Sequence, residues 1–188
     1  MMKMSAFVGA NLAVPAGLTL LTGCPKVNED QIVAGLKVAQ QVAINVQPII
    51  SPVNSEVGNI AGQVAGSLAV ILKTYNDYEA GVGDKQGNLV LLQATASAIS
   101  ANLVAILDGV HVKNPELITY VSVAVAVINS AITVLISSLP AQQATSARSA
   151  TIQSHETLPL LRNAKKASDL KAAWNNVVKM EHPEAVVK

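Results

Sequence analysis

From Glu29 to Leu139 the apolar residues return at alternating steps of three and four, the spacing that lays one stripe along a helix. The first stripe is Ile32, Leu36, Ala39, Ala43 and Val46, in a helix predicted over about 29–47. Lys37, Gln40, Gln41 and Asn45 fall on its other side. Asn28 suits the N-cap, Glu29 and Asp30 suit the positive end of the helix dipole, and Pro48 and Pro52 mark the turn. The second stripe, Val57, Ala61, Val64, Leu68, Ile71, Tyr75 and Tyr78, lies in a helix predicted over 52–79 with Ser51 as cap and Pro52 at its first position. A glycine-bearing loop spans 80–88. The third stripe, Leu89, Leu92, Ala96, Ile99, Leu103 and Ile106, predicts a helix over 89–108, capped by Asn88 and stopped by Gly109. The fourth helix is predicted to start at Asn114-Pro115-Glu116 and to end at Pro140, with Ile118, Val121, Val125, Ile128, Ile132, Leu135 and Leu139 as its stripe.

Beyond Pro140 the chain turns to Gln, Ser, Thr and Ala through Thr157, which reads as a polar linker. A short last helix is predicted from Ser168 to near Met180, with Leu170, Trp174, Val177 and Val178 on one side. Trp174 there would either anchor the tail to the bundle or sit at a membrane surface. The expected fold is therefore all-α: an antiparallel four-helix bundle with heptad-like stripes over 24–140, then a polar linker and a short C-terminal helix over 141–188.

Composition opens an alternative to a bundle in water. Hydrophobic residues make up 51% of the 188 and charged residues 13%, about half the usual charged share. Residues 89–107 and 117–139 carry no charge and are long enough to span a bilayer as a hairpin. Against spanning stand Gln93, Ser97, Ser100 and Asn102 in one segment and Thr119, Ser122, Asn129, Thr133 and Ser137 in the other. Several of the latter lie opposite the apolar stripe, as in a bundle helix.

Gly58, Gly62 and Gly66 recur every four residues beside the second stripe. Each costs about 0.8–1.0 kcal/mol relative to alanine in a helix. Their spacing points to helix packing at close approach.

The remaining composition mostly excludes. A net charge of +1 offers no basic stripe for nucleic acid. A lone cysteine precludes an intrachain disulfide, and His111, His155 and His182 stand far apart, so no metal or cofactor is expected. No nucleophile elbow or phosphate-binding loop occurs, and the carboxylates lie mostly at helix ends, where capping accounts for them. An enzyme is not expected.

The N-terminus carries the one specific motif. Lys3 and the amino terminus form a positive region, and residues 4–21 follow without charge, ending in Leu21-Thr22-Gly23-Cys24. That tetrapeptide resembles the lipobox of bacterial prolipoproteins. The resemblance covers residues 1–24 and implies cleavage between Gly23 and Cys24, a signal peptide over 1–23 and a diacylglycerol on the Cys24 thiol. Two acyl chains anchor stably where one binds reversibly. Pro25, in place of aspartate, is similar to the default sorting to the outer membrane in a diderm host.

Three functions stay open on these grounds. One is a lipid-anchored envelope protein of structural or interaction type, its partners being membrane lipid through Cys24 and a protein or a second copy. Another is a membrane-embedded, holin- or channel-like protein spanning at 89–107 and 117–139. The third is a small apolar ligand held between the helices.

Overall fold

Asn28 begins the described chain as the cap foreseen for it: its side chain accepts the Asp30 N–H at 3.3 Å. The computed structural model describes residues 28–113, 117–140 and 166–188. Five α-helices form there: α1 Glu29–Ile50, α2 Ser55–Glu79, α3 Lys85–Lys113, α4 Ile118–Ser138 and α5 Ala167–Val178, with a 3-10 turn at Pro183–Ala185.

Several helix ends differ from the pattern-based expectation, each for a local reason. Pro48 lies inside α1 instead of ending it. It sits in the last turn and is exposed, so the carbonyl deprived of its N–H partner can turn to water. Asn54, not Ser51, caps α2: its side chain accepts the Val57 N–H at 3.4 Å and donates to the Gly109 carbonyl at 3.5 Å. Helix α2 ends in a Schellman motif, with Gly81 at φ 69° and the Val82 N–H on the Asp77 carbonyl at 2.8 Å. Helix α3 starts four residues before Leu89, because the Asp84 carboxylate receives the N–H groups of Gln86 and Gly87 at 3.1 and 2.9 Å. It also runs straight through Gly109. A Cβ at Gly109 would run into Val57 Cγ2 of α2, so this glycine permits a close crossing and does not stop the helix. The predicted start at Asn114-Pro115-Glu116 and the polar linker 141–157 lie outside the described residues.

The first four helices close into a ring in which α1 packs on α2, α2 on α3, α3 on α4 and α4 on α1. Direction alternates around it. The end of α3 at Gly109 meets the start of α2 at Val57, and the end of α2 at Glu79 meets the start of α1 at Glu29. Every stripe residue predicted for α1, α2 and α3 is buried, and so are those of α4 except the half-buried Ile118. Burying a Leu, Ile or Val side chain stabilises by about 1.5–3 kcal/mol relative to exposure, so these stripes dominate the fold.

Helix α5 lies outside the ring, against α1 and α4. With this third neighbour, α4 buries Val123, Val127 and Ala131 beyond its stripe. Leu170 Cδ1 comes within 3.9 Å of where a Gly35 side chain would begin, and Glu181 meets Tyr120 at the start of α4. Helix α5 therefore runs along α1 in the same direction, and the tail after it turns back, with Ala185 on Asn45.

Candidate functional site

Cys24 and the rest of Leu21-Thr22-Gly23-Cys24 lie outside the described residues. The glycine row is described, and its three members stand in different surroundings. A Cβ at Gly58 would overlap Ser51 Oγ and reach 2.9 Å from Ser51 Cα, in the turn that ends α1. At Gly62 it would meet the Gln47 side chain of α1 at 3.1 Å, and at Gly66 it would have nothing within 4 Å. Close approach thus marks the α1–α2 turn and fades along α2.

The ring interior is aliphatic and closely packed. Ala43, Val46, Ala61, Val64, Leu103, Val125 and Ile128 surround about 10 Å³ of free space in the half towards the end of α1 and the start of α4, the lower limit for a single water. An apolar ligand would need the helices to move apart.

Titratable groups gather at two places. At the end shared by α1 and α2, the Tyr75 hydroxyl and the Glu79 carboxyl lie close to one another, with Glu29 beside them. Burial, then the Glu79 charge, raises the Tyr75 phenol; burial, then Glu29, pushes the Glu79 carboxyl above its usual range. Lys85 lies 5.0 Å over the Tyr78 ring at the same end.

The second gathering is where the C-terminal tail meets the ring. Tyr120 donates its hydroxyl proton to Glu181. Its ring meets His182 edge-on at 5.2 Å and 83°. His182 Nδ1 is 3.1 Å from Glu184. Glu184 is held below the usual carboxylate range, first by its own backbone N–H and then by His182. Beside it the Trp174 indole N–H and the Asn45 amide both donate to the Ala185 carbonyl, each at 2.7 Å. Of the two roles foreseen for Trp174, the fold adopts the anchor: it is 0% exposed. Asn45, read from the sequence only as part of a polar side, shares the Ala185 carbonyl with it; nothing in local spacing pointed to that. A cleft of about 390 Å³ lies between α1 and the tail, lined by Lys37, Gln41, Asn45, Glu184 and Lys188.

Chemically these groups offer hydrogen bonding and charge at the surface. Among the described residues no three His, Cys, Asp or Glu side chains converge on a possible metal position, and no buried side-chain nitrogen or oxygen lacks a partner.

Two helices are long and apolar enough to cross a membrane, and they differ in burial. The apolar window of α4 is 56% buried within the bundle, that of α3 33%. The apolarity of α4 is accounted for by the core. That of α3 extends to its outer side, where Val90, Leu91 and Val104 are exposed. Hydroxyls on both helices bond back to their own turns, Ser97 to the Gln93 carbonyl at 3.0 Å and Thr133 to the Asn129 carbonyl at 2.8 Å. No protein-family model, curated protein or solved structure matches the chain.

Proposed function

We propose that this chain is a lipid-anchored protein of a bacterial envelope, attached through Cys24, whose helical bundle serves a structural or protein-interaction role without catalysis. The observation that carries the reading is Leu21-Thr22-Gly23-Cys24 lying just ahead of the Asn28 cap of α1. Four residues of chain reach at most about 14 Å, so the anchored bundle stands with the α1 start, and with it Glu29, Tyr75, Glu79 and Lys85, towards the membrane. In a diderm host Pro25 favours the outer membrane. The partner is a protein, or a second copy, met by the bundle surface. The reading without catalysis is supported by the aliphatic interior of the ring.

Acyl labelling with membrane fractionation tests the anchor. Wild type is expected to take label and sediment with membranes, and Cys24→Ser to be unlabelled and released as a folded helical protein. Retention of Cys24→Ser in carbonate-washed membranes would defeat the proposal.

The exposed apolar side of α3 favours a second reading, a membrane-embedded holin- or channel-like protein spanning at 89–107 and 117–139. Ala98→Lys separates the two. The site is exposed and at the middle of 89–107, so a bundle in water accepts lysine there. A span carrying it would insert poorly, at a cost of about 2.5–3.5 kcal/mol near its centre.

A further inference from the structure

We infer that residues 167–188 form a strap that opens as one unit from the α1/α4 face while the ring stays folded, and that the uncovered groove binds an amphipathic helix with the strap's own anchors. The strap is tied to itself as much as to the ring. Trp174 Nε1 bonds the Ala185 carbonyl at 2.7 Å, Asn175 Nδ2 the Val187 carbonyl at 3.0 Å, and the Val187 N–H returns to Asn175 Oδ1 at 2.9 Å. These three bonds fold the tail back onto α5 and make one body of them. Towards the ring, the hydrogen bonds among the described residues are those of Asn45 to Ala185 and of Tyr120 to Glu181, both at the tail end of the strap, where His182 also meets the Tyr120 ring edge-on. The remaining buried side chains are apolar, with Leu170, Trp174 and Val178 at steps of four and Ala185 and Val187 after the turn.

The ring does not depend on the strap for closure, since its four helices complete their own circuit and their stripes face inward. A 12-residue helix such as α5 is too short to hold in water alone. It is helical because the groove receives it. The groove therefore recognises three apolar side chains four residues apart on one helix face, followed by a backbone carbonyl offered to Asn45. The occupant in the closed protein is the strap in cis, and a strap supplied in trans meets the same chemistry. This holds whether or not Cys24 carries lipid.

Hydrogen exchange on the full chain tests the opening. Amides of α5 are expected to exchange at least ten-fold faster than those at the centres of α1 to α4. Asn45→Ala is expected to speed α5 by about five- to ten-fold, as for one lost hydrogen bond, and to leave the ring unchanged. Equal exchange across strap and ring, or equal acceleration of both by Asn45→Ala, overturns the proposal. The groove is tested with full-chain Trp174→Ala, which frees it and removes the chain's sole tryptophan. A synthetic 167–188 peptide is expected to show a saturable blue shift of its own tryptophan on titration with that variant, and a scrambled peptide none. No shift, or loss of ring helicity in Trp174→Ala, overturns it.

Discussion

The two sides of the ring are both apolar on the outside, and among the described residues one of them is covered. On the α1/α4 side, Leu170, Trp174 and Val178 bury themselves, and Asn45 and Tyr120 hold the tail in place. On the α2/α3 side, Val70, Val90, Leu91 and Val104 remain 39–54% exposed, between alanines such as Ala69, Ala94, Ala98 and Ala101. A cover must repay the entropy of ordering its own residues, about 1–2 kcal/mol each for the backbone. The strap does so with one large aromatic, several aliphatics and polar partners already on the ring. The α2/α3 side offers small side chains and scattered valines, which return little area to any one segment. Apolar exposure alone therefore does not call a partner onto a helix pair; bulk, spacing and a hydrogen-bonding handle do.

The contrast can be broken most strongly at its largest anchor. Trp174→Ala is expected to cost about 3–5 kcal/mol of strap docking, visible as rapid exchange of 167–188 with the ring's helical signal kept. Next comes the tight end of the glycine row. Gly58→Ala is expected to destabilise by about 1–3 kcal/mol in urea unfolding, because the Ser51 backbone must move. Gly66→Ala, on the open side, is expected to stabilise by about 0.8–1.0 kcal/mol in the same assay, since nothing opposes the new methyl. Leu91→Lys on the bare α2/α3 side is expected to change stability in water by less than about 0.5 kcal/mol. A large loss there would show that the face is covered. The smallest effect is electrostatic. The Glu79 carboxyl is raised in the fold, so its favourable contribution is complete below the ordinary glutamate pKa of about 4.3 and is lost as pH rises through the raised value. Glu79→Gln is therefore expected to unfold slightly later than wild type at pH 7, with the difference vanishing near pH 4 in thermal melts.

Much of the fold was legible because burial follows helical period: Leu36, Leu68, Ile99 and Ile128 were marked by spacing and are buried. Caps were less legible, since Ser51, Asn54, Asp84 and Asn88 are all good cap residues and the sequence does not rank them. Gly109 shows why. A glycine past an apolar stripe reads as a stop, but here the missing side chain makes room for Val57, which lies on another helix. Of the candidate site, Cys24 was legible as a motif. The latch of Asn45, Tyr120 and Glu181 was not, because its members are far apart in the chain.

By itself, then, the sequence determined four helices with inward stripes, a charge-poor composition and a tetrapeptide, Leu21-Thr22-Gly23-Cys24, that resembles a lipobox, since periodicity and local motifs act within a few turns of chain. Tertiary structure alone decided that α4 gains a third neighbour while α3 keeps an exposed apolar side, and that Gly58 is confined while Gly66 is free. It also decided that the tail closes over α1 and α4. These depend on which surfaces meet across the ring, and a helix presents the same stripe whichever neighbour it finds.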